Sequence, residues 1–293
     1  MTFLSYLLSG LSLGSVYAII ALGYTMVYGI AKMLNFAHGD VIMVGGYIAY
    51  YAFSKFNLSP FVCIIASIIF STLLGILIER LAYKPLRNAS SLAVLITAIG
   101  VSYFLQNVAQ LLFGSDTKIF PILITDKTLK LFDNKLNISY LTIITIVTCI
   151  LIMIGLTLFI NKTKIGKAMR ATAEDKDAAK LMGINVDNTI SITFAIGSGL
   201  ASIASILLLS TYPSLSPTLG SMPGIKAFTA AVFGGIGSIP GAFLGGILLG
   251  IIENLTKAYI STQLSDAFVF AVLIIVLLIK PTGLLGKKES VKV

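Results

Sequence analysis

Charge is scarce in this chain. Only 11% of its 293 residues are charged against 57% hydrophobic, and the mean hydropathy is +0.97. A soluble domain carries about 25% charged residues, so the composition excludes one. Apolar stretches of about 20 residues fit membrane-crossing helices rather than barrel strands of about 9–11. Histidine occurs once, at His38, and cysteine twice. Cys63 and Cys149 lie inside apolar runs with no CxxC or Cys/His spacing, and read as structural thiols. Neither a metal nor a cofactor is expected. The G-x-x-x-x-G-K-[ST] loop is missing, so the chain does not hold a nucleotide by that device. One histidine and few carboxylates at membrane depth give no catalytic constellation, and the chain reads as a non-enzyme. A basic n-region is missing too, so no cleavable signal peptide is expected. The net charge of +9 reads as a topology signal rather than as a nucleic-acid surface.

What remains is a single transmembrane domain over 1–293, all-α, a polytopic helical bundle of about eight hydrophobic segments. Uninterrupted apolar runs lie at 4–30, 60–78, 92–113, 139–160, 191–211 and 267–279. Two further segments are broken or re-entrant. The first carries Asn35, Phe36, Ala37, His38, Gly39 and Asp40 between two uncharged runs, and its second limb, 41–53, is too short to span alone. The second, 226–252, is interrupted from Gly237 to Gly241. Non-helical backbone at membrane depth must be buried in protein or line a cavity, because lipid satisfies none of its polar groups. Paired interrupted segments are the best sequence pointer to a transport pathway. Each is followed by a Gly-Gly pair, Gly45-Gly46 and Gly245-Gly246, a weak internal repeat of roughly 1–138 and 139–293.

The basic residues give orientation. Segments 79–91, 161–188 and 280–293 hold 13 of the 21 Lys and Arg, including Arg80, Arg87 and Arg170, and the positive-inside rule makes them and the C-terminus cytoplasmic. Connection 114–137, with four lysines beside Asp116, Asp126 and Asp133, then lies opposite. From 161–188 to the C-terminus the chain crosses an even number of times, so 226–252 enters and leaves on one side or forms two short crossing helices. The same treatment of 32–53 puts the N-terminus inside.

Two readings stand for His38 and Asp40. They line a permeation path at the break, or Asp40 caps a helix beginning at Val41 while His38 bonds freed carbonyls. In loop 161–188, Thr172 to Asp175 fits a capping pattern and Gly183 suits a helix C′ position. The ten residues between form a short amphipathic helix, with Ala178, Leu181 and Met182 opposite Asp175, Lys176 and Lys180. An apolar stripe on a cytoplasmic helix needs a partner surface, and a soluble motor subunit is the natural candidate.

The hexapeptide 35–40 followed by Gly45-Gly46 resembles the hallmark of branched-chain amino-acid ABC-transporter permeases of the LivH type. So do 166–186 and 226–246, and the resemblance covers nearly the whole chain. It implies an ABC importer permease fold in the bacterial inner membrane. The implied partners are a second homologous permease, two ATP-binding-cassette ATPases and an extracytoplasmic amino-acid-binding protein, with no nucleic acid. Asn35, Phe36, His38, Gly39, Asp40, Gly45, Gly46, Gly234, Gly235, Gly237, Pro240 and Gly241 would contribute to the translocation pathway. Gly166, Arg170, Ala171, Glu174, Asp175, Ala179, Leu181 and Gly183 would belong to the loop that docks on an ATPase. The alternatives are the same machinery carrying urea or short amides, or an ion-coupled carrier or channel acting alone.

Overall fold

A computed structural model describes residues 2–87, 89–125, 127–131 and 136–286. Asp126, Asp133, Lys135, Lys287, Lys288 and Lys292, all part of the charge pattern, lie outside the described residues. Among the described residues, six helices are long and apolar enough to cross a membrane: α1 (Thr2–Ala31), α3 (Pro60–Ile78, continued by irregular turns to Leu86), α4 (Ser91–Phe113), α5 (Tyr140–Lys162), α8 (Val186–Thr211) and α10 (Ile239–Tyr259). Three shorter helices join them: α2 (His38–Ser54), α9 (Ser221–Gly234) and α11 (Ser265–Ile279). Two surface helices, α6 (Lys164–Glu174) and α7 (Lys176–Leu181), follow α5.

The starts of these helices are written locally. Ser90, Ser139, Thr163, Asn185 and Ser238 each cap the next helix, their side-chain oxygens accepting from backbone N–H groups of the first turn. Pro60 and Pro240 occupy first-turn positions where a missing N–H costs nothing.

Helices α1 and α8 are central. Their most apolar windows are 56% and 78% buried, against 17% for α5 and 22% for α4, which therefore form the outer wall of the chain. Small residues let the central helices approach closely. A Cβ at Gly14 would stand 2.7 Å from the Ile247 carbonyl oxygen, so α1 lies backbone to backbone on α10. The Ser67 hydroxyl of α3 donates to the Gly45 carbonyl (2.7 Å) and accepts from the Ser202 hydroxyl of α8 (2.7 Å), tying α2, α3 and α8 together.

Contacts fix which ends share a face. Lys176 of α7 donates to the carbonyl of Ala31, the last residue of α1 (2.7 Å). Arg87 pairs with Asp187 at the start of α8. Leu284 and Leu285 donate to Phe233 and Gly234 at the end of α9 (2.9 and 2.8 Å). The three basic segments thus meet on one face, as the charge pattern predicts.

The N-terminus lies on the other face, contrary to expectation. Tyr6 meets Tyr259 edge-on and its carbonyl accepts from Asn254 (2.5 Å), beside the far end of α10. The reason is that 32–53 completes a crossing. Helix α2 is 17 residues rather than 13, about 25 Å, and the six-residue connection 32–37 can reach about 20 Å further. The second broken segment does enter and leave on one side, but its limbs are unequal: the 14-residue α9 begins partway in, and the 21-residue α10 crosses fully.

On the face opposite the basic segments, connection 114–139 and the loop 212–220 form two small antiparallel ribbons in a fold whose other described elements are helical. β1 (Lys118–Ile119) pairs with β4 (Ser214–Leu215), and β2 (Thr128–Leu131) pairs with β3 (Leu136–Ser139). The Lys118 ammonium lies 5.8 Å from the Tyr51 ring, holding the connection over the end of α2.

Candidate functional site

The two short interior helices, α2 and α9, meet at their N-termini. A Cβ at Gly39 would lie 2.5 Å from the Gly220 carbonyl oxygen, and one at Gly224 would lie 2.9 Å from the Gly39 Cα, so glycine is required for this contact. The hexapeptide splits across the junction: Asn35 to Ala37 lie in the connection, and His38, Gly39 and Asp40 form the first turn of α2.

Asp40 does not cap. Ala37 is the N-cap residue and makes no side-chain bond to the helix. The Asp40 carboxylate, buried, instead accepts from Gln106 of α4 (Oδ1, 2.9 Å), whose amide also reaches Ser221 Oγ (3.2 Å) and Ser102 Oγ (3.3 Å). Gln106, Ser102 and Ser221 are half-buried, so this polar cluster borders an open face. Phe36 lies against Phe228 of α9 at 5.6 Å between rings, and Met222 and Ile225 expose apolar surface beside them. A polar cluster next to an apolar patch can receive a ligand with a charged head and an aliphatic tail.

The His38 ring bonds no carbonyl freed at the break. It meets the Ile20 carbonyl of α1, crosses Tyr24 at 4.6 Å and occupies the space a side chain at Gly23 would need. His38 Nε2 is buried without a hydrogen-bond partner among the described residues. Asn35 accepts from the hydroxyl of Tyr83 (2.9 Å), and the Gly45 and Gly46 backbones pack on Ser202 and Leu209 of α8.

At the second break, Gly234 and Gly241 face each other across the α9–α10 turn with no room for a side chain on either. Gly235 (φ +107°) lies against Gly286, and Gly237 (φ +91°) donates to Thr25 of α1 (3.1 Å). Gly245 and Gly246 contact Ala230 and Ala18. Pro240 is exposed on the basic face. Both breaks therefore lie on α1, and their glycines set the spacing of α1, α2, α9 and α10.

Glu253, Lys257 and Asp266, a polar patch after the second broken segment in the sequence, join Lys226 and Tyr17 in a buried ion cluster that the sequence did not reveal. Lys226 of α9 bonds Glu253 (2.8 Å) and Asp266 (2.6 Å); Glu253, fully buried, also accepts from Lys257 (2.5 Å) and the Tyr17 hydroxyl (2.9 Å). These residues stand on four helices, α1, α9, α10 and α11, and intramembrane charge was the available signal.

On the basic face, α6 and α7 form a bent pair rather than one helix. Asp175 is the cap: it accepts from the Asp177 and Ala178 N–H groups (3.0 Å each), while Thr172 is buried inside α6. Gly166 sits where α6 folds back on the end of α5 and a Cβ would strike the Phe159 and Ile160 carbonyls. Ala179 is buried, and Ala171 is half-buried with its carbonyl accepting from the Asp175 N–H (3.0 Å). Gly183 takes φ +81° at the C′ position, as expected. Arg170 and Glu174 are exposed, and Leu181 and Met182 stand 90% and 82% exposed. Burial, then the charges of Arg87, Lys32 and Lys180, push the Lys176 ammonium down from the ordinary lysine range.

Comparison with known proteins decides the lineage. Residues 6–277 match the family described as the branched-chain amino acid transport system / permease component. The chain belongs to this permease family. It is 47% identical to the high-affinity branched-chain amino acid transport system permease protein BraD of Pseudomonas aeruginosa, over 99% of this chain and 98% of that protein. It is 45% identical to the corresponding protein LivH of Escherichia coli, with the same coverage. Among solved structures, PsaBC from Streptococcus pneumoniae in complex with Fab shares the fold at a TM-score of 0.51 and 16% identity, covering 94% of this chain and 92% of that one. This permease is thus a multi-pass membrane protein with an ABC permease fold.

Proposed function

We propose that this permease forms half of the conduit in an ATP-driven importer of branched-chain amino acids. A homologous permease supplies the other half, two ATPases supply the energy, and an extracytoplasmic binding protein delivers the substrate. The single observation that carries the reading is the meeting of α2 and α9, N-terminus to N-terminus, beside a half-buried polar cluster and an apolar patch. Discontinuous helices whose ends converge within the membrane are how transporters present backbone and side-chain polarity to a solute. Asp40 and Gln106 suit the charged head of an amino acid, and Phe36, Phe228, Met222 and Ile225 suit an aliphatic side chain. The glycines at both breaks hold the walls at the spacing this face needs.

By the positive-inside rule the face bearing Arg80, Lys84, Arg87 and the α6–α7 pair is cytoplasmic. Leu181 and Met182 then present apolar side chains to the ATPase, and Asp175 and Gly183 hold the two ends of α7 that carry them. Hydrolysis belongs to the ATPases and not to this chain.

Gly39→Leu tests the conduit. Its Cβ has no space against Gly220, so α2 and α9 separate, and leucine uptake is expected to stop while the protein still inserts. Wild-type uptake by an inserted Gly39→Leu protein would falsify the reading.

A further inference from the structure

The connection 32–37, between α1 and α2, is held at both ends by groups from the basic face. At one end, Lys176 of α7 donates to the carbonyl of Ala31, an orphan acceptor at the C-terminus of α1 (2.7 Å). The next residue, Lys32, has φ +57°, a left-handed conformation that side-chain-bearing residues adopt only when their surroundings impose it. At the other end, the buried Tyr83 hydroxyl donates to Asn35 Oδ1 (2.9 Å), and the Asn35 carbonyl accepts the first N–H of α2, from His38 (3.1 Å).

Tyr83 lies in an unusual element. From Glu79 to Tyr83, α3 widens into a π-helical turn, a rare geometry frequent at functional positions. The other end of that turn is anchored as well. Fully buried Glu79 binds Arg87, which binds Asp187, and its second oxygen accepts from Ser191 of α8 (2.5 Å). Asp187 stands at the start of α8, a few residues beyond α7.

We propose that Lys176 and Tyr83 are positioning residues that join the α6–α7 pair to the α1–α2 hinge, so that displacement of α7 reorients α2 and with it the Gly39–Gly220 junction. The proposal rests on the reading of α6–α7 as the ATPase-docking pair. Lys176 acts directly on the end of α1, and Tyr83 steadies the far side of the hinge through the π-helical turn. Both residues act through hydrogen bonds and touch no solute.

The experiment uses the complete transporter, reconstituted with its ATPases and binding protein. It measures ATPase co-purification, ATP hydrolysis and leucine taken up per ATP hydrolysed. In Lys176→Met, co-purification and hydrolysis stay near wild type while uptake per ATP falls about tenfold, a coupling loss of ordinary size. Lys176→Arg, which keeps a donor of similar reach, restores most of it. Tyr83→Phe, which removes one hydroxyl and no packing volume, lowers the same ratio. Should Lys176→Met fail to accumulate, Tyr83→Phe carries the test alone. An unchanged ratio in the accumulated variants, or an equal fall in Lys176→Arg, overturns the proposal. Failure of the docking reading is read separately: ATPases that co-purify normally with Leu181→Glu remove the docking surface itself.

Discussion

Lys226→Met should loosen the bundle at the buried ion cluster. The wild-type cluster is balanced: Lys226 and Lys257 face Glu253 and Asp266, with Tyr17 donating to Glu253. The Lys226 and Glu253 side chains are only 8% and 1% exposed, whereas Lys257 and Asp266 are 33% and 42% exposed. Removing one member of a buried pair costs about 3–5 kcal/mol, chiefly because the other charge stays buried. Lys257 still reaches Glu253, which places the loss near the lower bound, about 3 kcal/mol. At about 2–4 °C per kcal/mol, the thermal midpoint in detergent should drop by roughly 6–12 °C. The double variant Lys226→Met/Glu253→Gln removes the stranded carboxylate and leaves Lys257 and Asp266, both able to reach water or headgroups. It should recover about 2 kcal/mol of the loss, a coupling of the size seen between residues in contact. Equal midpoints for the single and double variants would refute the reasoning, since no buried charge would then be stranded.

Two further outcomes follow from the face assignments. Leu181→Glu, at a residue 90% exposed, should leave the stability of the isolated permease within about 0.5 kcal/mol of wild type. The same variant should abolish ATPase co-purification, and normal recovery of the ATPases would be the contrary result. An epitope at the N-terminus should be reached by antibody in intact spheroplasts, while one after Gly286 should require permeabilisation. The reverse pattern would invert the membrane orientation.

Much of the fold was legible because lipid makes its demands locally. Run length marks a span, and a polar break must be accounted for where it occurs. Both breaks are therefore real, and the basic segments share a face. The parity argument misplaced the N-terminus because it weighed 41–53 as a helix alone, while the helix starts at His38 and an extended connection adds the remaining depth. The capping pattern at Thr172 misplaced a helix start by three residues. Asp175 offers an equally good acceptor, and burial of Thr172 between α6 and its neighbours settles which one caps.

From sequence alone the membrane class, the interrupted segments, the clustered basic loops and the C′ glycine at 183 were determined, since each depends on residues close together in the chain. Only the tertiary structure decided that Gly39 meets Gly220, that Tyr83 holds Asn35 and that Lys226 neutralises Glu253. Those pairs lie 27 to 181 positions apart. Composition tells that a buried charge needs a partner, but which partner depends on how whole helices cross.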